Sequence, residues 1–366
     1  MNVINFMDLS RQCKTLKNEI FEAMEEVYDD IAFVGGRFIS KFEEEFAEYI
    51  GIKHASGVSN GTDALFLACK AIGVGPGDEV IVPSNTFIAS AWAPLHCGAR
   101  VRFADCSDKD WLISSESVEP LITDKTKAII GVHLYGQPYD LGAMSNICKK
   151  YGLKLIEDCA QAHGAKWKDL TVGTVGDLGC FSFYPGKNLG AYGDAGAVVS
   201  NDDEIINTIN LLKNHGSSTK YRHDVPGYNM RLDGLQAAVL SVKLRYLDSW
   251  NKRRTEIYEM YREGLSNDKI QLQNINPFSN GVHHIFPVLA DNRQKFMSFM
   301  SERGVNCGIH YPIPCHLQPA FSGLGYKVGD LPNSEYVMEH CVSLPMYPEL
   351  TDEEVDKIIT DVNSYE

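Results

Sequence analysis

Several features that define large classes of proteins are missing from this sequence. Its ten cysteines include no CxxC pair, which argues against a metal knuckle of the zinc-ribbon kind. Basic residues are scarce, since 34 Lys and Arg stand against 48 Asp and Glu and give a net charge of −14. A chain with this charge is not expected to bind nucleic acid or an anionic membrane diffusely, so an anionic substrate needs a local binding site.

The sequence also lacks a long apolar run, an internal repeat and a low-complexity tract. The first residues, MNVINFMDLSRQCKTLK, lack the apolar core of a signal peptide, and the least charged stretch, VPSNTFIASAWAPLHCGA, is interrupted by Pro, Asn, Ser and His. Four cysteines, Cys69, Cys148, Cys159 and Cys180, fall inside apolar runs, where free thiols behave as small hydrophobic groups. We therefore expect a cytoplasmic protein in a reducing compartment, without membrane contact.

Helix-like and strand-like segments alternate from residue 60 to 200. The strand-like segments are DEVIVPS, ARVRFAD, KAIIGVH, LKLIED and LGCFSFY, and the helix-like segments between them include TDALFLACKAIG, TFIASAWAPLHCG and LGAMSNICKKYG. Such alternation predicts crossover connections and hence an α/β fold with a mostly parallel sheet covered by helices.

The length of 366 residues suggests about two domains. Residues 232–265 have sustained helical periodicity without proline, and we expect them to carry the chain out of the sheet domain. A smaller pattern of strand, helix and Pro-rich loop follows, and the last helix begins after an N-cap at Thr351. We predict a large domain with an N-terminal helix over residues 1–247 and a small C-terminal α+β domain over residues 248–366. The amphipathic stretch 12–31 fits either domain or a dimer contact.

Polar residues follow three of the predicted strands at their carboxyl ends. His133 ends one strand, Glu157 and Asp158 end the next, and Ser182 and Lys187 follow a third. Because ligands of open parallel sheets bind beyond the carboxyl ends of the strands, these residues are candidates for one site. Lys187 is the lone cation between two glycine-rich turns in FSFYPGKNLGAYGDAGAVV.

Three of these features together indicate pyridoxal phosphate. In SNGTDALFLACKAIG, Gly61 and Thr62 open a helix whose free N–H groups suit a phosphate, although an ordinary N-cap explains this pattern equally well. Asp158 leaves a buried strand and needs a cationic or donor partner, for which a structural salt bridge is the alternative. A lysine that can form a Schiff base, a carboxylate for the pyridinium nitrogen and a phosphate site are what this cofactor requires.

Six separated motifs carry a resemblance to a known family. The runs SNGTDAL, VPSNTFIAS, IEDCAQAHGA, FSFYPGKNLGAYGDAGA, GYNMRLDGLQAAVL and HYPIPCHLQ resemble the sugar aminotransferases of the DegT/DnrJ/EryC1/StrS family and extend from residue 59 to 318. The resemblance implies the aspartate-aminotransferase fold (fold type I) and a homodimer with active sites at the subunit interface. It also implies that a nucleotide-linked keto-sugar accepts an amino group from L-glutamate.

The resemblance also implies roles for single residues. Lys187 would be the Schiff-base lysine and the base that moves the proton between substrate carbon and cofactor, and Asp158 would pair with the pyridinium nitrogen. The other cofactor-binding residues implied are Gln161 near the polar ring substituents, Gly61, Thr62 and Ser182 at the phosphate, Phe87 stacked on the ring, and Asn229 reaching the phosphate of the partner subunit.

The candidates for sugar binding are Tyr184, Tyr221, His310 and the loop HYPIPCH at residues 310–316, with Lys220 and Arg222 as candidates for the diphosphate. Core packing is the alternative for the aromatic positions. His310 and His316 could suggest a metal, but the intervening prolines prevent a helical pair and no Cys partner follows, so we expect no metal site. The adjacent His283 and His284 lie in a strand pattern and should point to opposite faces.

Gln161 after EDCA resembles the branch that aminates C-3 of a dTDP-linked 3-keto-6-deoxyhexose, since branches acting at C-4 more often carry His there. An aminotransferase acting at C-4 or on a UDP-linked 3-keto sugar stays an alternative. A sugar dehydratase of this fold carries histidine in place of the Schiff-base lysine, so Lys187 favours transamination. A dinucleotide oxidoreductase is disfavoured because GVGPGD precedes its strand, and a non-enzymatic regulator because no basic patch or extra domain is present.

Overall fold

The computed structural model describes residues 3–366. The helices are α1 (Leu9–Asp29), α2 (Arg37–Ile50), α3 (Gly61–Ala71), α4 (Ala89–His96), α5 (Ser115–Val118), α6 (Leu141–Tyr151), α7 (Asp203–Lys213), α8 (Gly234–Leu244), α9 (Leu247–Gly264), α10 (Arg293–Glu302), α11 (Pro332–His340) and α12 (Asp352–Asn363). The strands are β1 (His54–Val58), β2 (Glu79–Pro83), β3 (Arg100–Ala104), β4 (Thr126–Val132), β5 (Lys154–Asp158), β6 (Lys166–Trp167), β7 (Leu170–Thr171), β8 (Leu178–Ser182), β9 (Gly196–Ser200), β10 (Ser217–Thr219), β11 (Arg222–His223), β12 (Ile270–Leu272), β13 (Ser279–Asn280), β14 (Phe286–Ala290) and β15 (Cys341–Leu344).

A seven-stranded sheet in the order β1-β9-β8-β5-β4-β2-β3 organises the larger part of the chain. The strands from β8 to β3 pair in parallel, and β9 is antiparallel to both of its neighbours. The predicted mostly parallel α/β sheet is therefore confirmed. The strands β2 and β9 are buried along their whole length because helices cover both faces of such a sheet.

Helix α2 illustrates how the sequence pattern places a helix on this sheet. Phe38, Phe42 and Phe46 recur every four residues, so they share one face of the helix, and all three are buried. The ring of Phe46 meets the ring of Phe181 from β8 edge to face, with 5.1 Å between centroids. Gly51 ends the helix in the left-handed conformation at φ 79°, which glycine adopts without steric cost.

A second, smaller core lies around the three-stranded sheet β12-β14-β15. Helices α9 and α12 contribute to it, as do Phe286 and Val342 from the strands. Ile4, close to the start of the chain, is 2% exposed and belongs to this same core. Thr351 caps α12 as expected, in a capping box with Glu354. The division of the chain at 247/248 stays a prediction.

Of two local predictions for the second half of the chain, the helical segment is confirmed with one interruption and the start of the strand is wrong. The helical segment 232–265 is divided between α8 and α9 at Arg245 and Tyr246, because α8 packs on α1 and α2 whereas α9 packs on α12 in the second core. The strand expected to contain His283 and His284 begins only at Phe286. His283 has a positive φ of 46° and stacks on Tyr258 instead.

The ten cysteines are free thiols. Cys13 and Cys307 are half-buried, and the others are buried: Cys69, Cys97, Cys106, Cys148, Cys159, Cys180, Cys315 and Cys341. Over residues 3–366, none of the helices has the length and hydrophobicity needed to cross a bilayer.

Candidate active site

A cavity of about 720 Å³ lies beyond the carboxyl ends of β4, β5 and β8. The last residues of these strands, Val132, Asp158 and Ser182, line it, as expected for an open parallel sheet. Most of the site residues proposed from the sequence meet here: Gly61, Thr62, Phe87, Asp158, Gln161, Ser182, Tyr184, Lys187 and His310.

Lys187 enters the cavity from the loop that follows β8. Its backbone N–H donates to the carbonyl of Tyr184 at 2.8 Å, which closes a tight turn at Pro185 and Gly186. Burial lowers the pKa of the Lys187 amine from 10.5 to about 8, and the charge of Asp158 opposes this lowering. A substantial fraction of the amine is therefore neutral slightly above neutral pH, as a nucleophile or general base requires.

Asp158 ends β5 at the floor of the cavity, where it is 4% exposed. Its carboxylate accepts hydrogen bonds from the Ser90 hydroxyl at 2.7 Å and from the Ala160 N–H at 3.1 Å. Burial raises the pKa of Asp158, while these two donors and the charge of Lys187 lower it. The Ser90 hydroxyl also lies 3.0 Å from the hydroxyl of Thr86, so the hydroxyls of Thr86 and of Ser90 on α4 form one network that fixes the carboxylate.

The N-terminus of α3, where an anion site is expected, faces the same cavity. Asn60 caps the helix by accepting from the N–H of Asp63 at 2.9 Å, which leaves the N–H groups at the start of the helix toward the cavity. A Cβ on Gly61 would lie 2.6 Å from the Cβ of Ser182, so only glycine allows the helix to approach β8 this closely. Together with the hydroxyls of Thr62 and Ser182, this cradle fits a phosphate.

Phe87 and Gln161 lie on the walls above Asp158. Phe87 is 50% exposed into the open site, and its ring centroid lies 5.4 Å from that of Tyr311. Gln161 accepts from the N–H of Tyr135 at 2.6 Å and donates to the Tyr311 hydroxyl at 3.2 Å, so its amide is fixed at the wall. Tyr311 belongs to the loop HYPIPCH proposed from the sequence for the sugar, although it was not named singly, and it lines the cavity.

Two histidines at the cavity, the half-buried His310 and the buried His284, are held in the neutral form. Burial and then the charge of Lys187 lower the pKa of His310 to about 4, and its Nδ1 lies 2.9 Å from the Ser343 hydroxyl. The same two causes lower the pKa of His284, which lies 2.9 Å from Asn188 through Nδ1. His316 lies apart from His310, between the hydroxyl of Ser84 and a carboxylate oxygen of Glu335.

One buried cluster, His133, Glu157 and Cys159, has ligand atoms close enough to hold a metal ion. The Glu157 carboxylate is already occupied, however. It lies 3.0 Å from Nε2 of His133 and accepts from three backbone N–H groups of the loop before β8, those of Gly173, Val175 and Gly176. These contacts identify a buried His–Glu pair that fixes this loop.

Four of the residues proposed from the sequence do not reach the cavity of their own chain. Tyr221 is 85% exposed at the tip of the hairpin β10–β11, beneath the amine of Lys220, and Arg222 pairs with Asp224 at 2.8 Å. Asn229 forms an isolated antiparallel bridge with Asn214, also outside the cavity. The expectation that such residues act at the site of a second copy stays a prediction.

The sequence analysis also missed a buried lysine behind the Lys187 loop. Lys243 on α8 is 1% exposed and donates to the carbonyl of Gly190 at 2.5 Å. The rings of Tyr192 and Trp250 lie 5.3 and 5.8 Å from its amine, and burial lowers the pKa of this amine to about 8. Gln236, two turns earlier on the same helix, accepts from the Tyr192 N–H. Helix α8 thus holds the end of the Lys187 loop.

Comparison with known proteins supplies the family context for this site. The family model described as the DegT/DnrJ/EryC1/StrS aminotransferase family matches residues 14–363. The chain is 44% identical to a dTDP-3-amino-3,6-dideoxy-alpha-D-galactopyranose transaminase of Aneurinibacillus thermoaerophilus, over 99% of both chains. It is 40% identical to a dTDP-3-amino-3,4,6-trideoxy-alpha-D-glucose transaminase of Streptomyces venezuelae, over 99% of this chain and 96% of that one.

A solved structure gives the same assignment of the fold. The crystal structure of S. venezuelae DesV, in complex with a ketimine intermediate, superposes with a TM-score of 0.97 at 40% identity, over 99% of this chain and 98% of that one. The fold expected from the sequence is therefore confirmed.

Proposed function

Because the chain belongs to the DegT/DnrJ/EryC1/StrS aminotransferase family, we propose that it transfers an amino group from L-glutamate to C-3 of a dTDP-linked 3-keto-6-deoxyhexose, with pyridoxal phosphate as cofactor. The observation that carries the proposal is the meeting of Lys187, Asp158 and the N-terminus of α3 in one cavity. These are the amine, the carboxylate and the anion site that the cofactor requires.

Each residue has a separate task in binding the cofactor. Bound pyridoxal phosphate supplies an electron-accepting ring that stabilises negative charge on the reacting carbon. Asp158, an anion buried at the cavity floor, is suited to hold a proton on the ring nitrogen. Gly61, Thr62 and Ser182 bind the phosphate, and Phe87 offers an aromatic face to the ring.

Lys187 is the residue that transfers the proton to and from the reacting carbon. Its amine, with a pKa of about 8, exchanges a proton with a carbon acid near neutral pH more readily than an ordinary lysine with a pKa of 10.5. The loop that carries it is held by the Tyr184 carbonyl in front and by Lys243 behind, so the amine moves little between the two half-reactions.

The dTDP-3-amino sugars in the names of two relatives support the choice of acceptor. Both names place the amino group at C-3 of a 6-deoxy sugar. The two sugars differ at C-4, which is deoxygenated in the Streptomyces venezuelae sugar only. We propose the same reaction position and the same nucleotide here and assign no substituent at C-4. Transfer at C-4 is one alternative, which the experiment below distinguishes, and transfer to a UDP-linked 3-keto sugar is the other.

We also propose that two copies of the chain form each site. Asn229, Tyr221 and the basic residues Lys220 and Arg222 lie away from the cavity of their own chain, on a segment available to a neighbour. Mixing Lys187→Ala with Asn229→Ala subunits should restore activity, because one site of each heterodimer then has both residues intact. Purified heterodimers without activity would contradict a shared site.

A half-reaction tests the proposed function. The enzyme is first converted by L-glutamate to the form that carries the amino group, and the glutamate is then removed. A 3-keto or a 4-keto dTDP-6-deoxyhexose is added, and the visible absorbance of the lysine-bound cofactor is followed. We expect this absorbance to return with the 3-keto sugar alone. Return with the 4-keto sugar alone would overturn the position of transfer and the weight given to Gln161. In Lys187→Ala the absorbance and the turnover should both be lost, while the exposed Lys252→Ala keeps both.

A further inference from the structure

The segment Asn5–Met7, near the start of the chain, crosses one side of the cavity. Ile4 anchors it to the second core, since its N–H donates to the Gly304 carbonyl at 2.8 Å and its own carbonyl accepts from the Asn306 N–H at 2.9 Å. The Asn5 carboxamide accepts from the Asn306 side chain at 3.1 Å. The segment is therefore held in place by the second core.

Phe6 and Met7 line the cavity and contact residues on both sides of it. The Phe6 ring stacks on the His310 ring with 5.1 Å between centroids and 30° between planes. A Cβ on Gly308 would lie 3.2 Å from this ring. A Cβ on Gly186, directly before Lys187, would lie 2.8 Å from the sulfur of Met7. The two side chains thus connect the His310 loop with the Lys187 loop.

The charges in the cavity indicate which part of an acceptor lies against this segment. Among the described residues that line it, Lys187 is the one lysine or arginine, and three carboxylates face it: Asp63, Asp158 and Asp194. His310, behind Phe6, is neutral near pH 7 because its pKa is about 4. Lys187 and the N-terminus of α3 are assigned to the cofactor, so the described lining offers no further lysine or arginine for a diphosphate beside Phe6 and Met7, whereas the C–H faces of a sugar ring match an aromatic ring and a thioether.

We propose that Phe6 and Met7 contact the sugar ring of the acceptor and determine specificity for it, an inference that rests on the proposed function. The reacting ketone must reach Lys187, and Met7 packs against the residue before Lys187, so the sugar lies beside this segment. The diphosphate then extends away from it. Both residues precede the part of the chain matched by the family model, residues 14–363.

Binding to the cofactor-loaded protein tests the proposal without turnover. Calorimetry compares dTDP-6-deoxy-D-galactose, which lacks the ketone, with free dTDP. In Phe6→Ala we expect the affinity for the sugar nucleotide to fall about tenfold and that for dTDP to stay within about twofold, because only the sugar loses an aromatic contact. In the half-reactions, the KM for the keto-sugar should rise by about the same factor, while the KM for glutamate stays unchanged.

Val3→Ala is the matched control, since Val3 belongs to the same stretch of chain, is 57% exposed and is outside the cavity lining. If Phe6→Ala does not fold, Met7→Ala carries the same expectation and leaves the Phe6–His310 stack in place. Unchanged affinity for the sugar nucleotide, or an equal loss for dTDP, overturns the proposal. If the parent enzyme uses another nucleotide sugar, the proposed function fails separately, and the same comparison is made with that sugar and its nucleotide.

Discussion

Replacing Lys187 by methionine should stabilise the protein freed of its cofactor at pH 7. The amine of Lys187 lies in the cavity, where burial lowers its pKa from 10.5 to about 8. Below pH 8 the lysine is charged in both the folded and the unfolded chain, and the folded state bears the cost of desolvating that charge. Methionine has a similar length and carries no charge, so the variant removes this cost.

The lowered pKa gives the magnitude and its pH dependence. A difference of about 2.5 in pKa, at about 1.4 kcal/mol for each unit, corresponds to about 3 kcal/mol, which is an upper bound because Lys187 borders an open cavity. Between pH 8 and 10.5 the unfolded chain binds more protons than the folded one. The stability of the parent protein therefore rises over this window and approaches that of the variant.

Urea unfolding of the cofactor-free proteins, at one protein concentration and at pH 7, 9 and 10.5, measures this difference. We expect Lys187→Met to have a free energy of unfolding about 1–3 kcal/mol higher at pH 7, with the advantage shrinking as the pH rises. Lys252→Met, at an exposed position of α9, is the control and should show no such trend. Equal stability at pH 7, or a difference independent of pH, would refute the reasoning.

Three further substitutions test other parts of the site. Asp158→Asn should lower kcat of the glutamate half-reaction at least about a hundredfold, because an amide does not supply the buried negative charge that holds a proton on the ring nitrogen. Lys243→Met should lower kcat about tenfold, with Lys252→Met as control, because the Gly190 carbonyl loses its donor and the Lys187 loop shifts. Arg254→Met should lower the free energy of unfolding by about 2–4 kcal/mol in urea, because one nitrogen of Arg254 donates to the carbonyls of His283, His284 and Met346.

Much of the sheet and the floor of the site could be predicted because their signals are local. Alternating segments are sufficient to indicate parallel strands, and the carboxyl-end rule then brings Asp158 and Lys187 together although 29 positions separate them. The glycine at position 61 had an equally good alternative explanation as part of a helix cap. The structure shows the cap, at Asn60, and also places Gly61 against Ser182 at the cavity, so the two explanations are compatible and the phosphate role stays a prediction.

The residues that the sequence analysis missed depend on contacts between distant parts of the chain. Phe6 reaches the cavity because Ile4 pairs beside Val305, and no local pattern records that pairing. Lys243 lies on a helix with an ordinary pattern, and its burial becomes evident only when the Lys187 loop is folded against it. Likewise, the chain breaks between α8 and α9 because the two helices pack on different cores. Helical periodicity does not show on which core a helix packs.

The buried cysteine thiols allow local opening of the folded structure to be measured. Cys159 directly follows β5 and Cys180 lies in β8, at the cavity floor. Burial raises the pKa values of both thiols well above the usual range, and the charges of Glu157 and Asp158 raise them further. Such thiols react with an alkylating reagent only when the surrounding structure opens, so their labelling rates report the free energy of that opening. Cofactor binding should slow labelling at Cys159 and Cys180 and leave the half-buried Cys13 unaffected. Labelling with one alkylating reagent, read out by mass spectrometry, thus measures the opening of the cavity floor at Cys159 and Cys180 separately from that around Cys13.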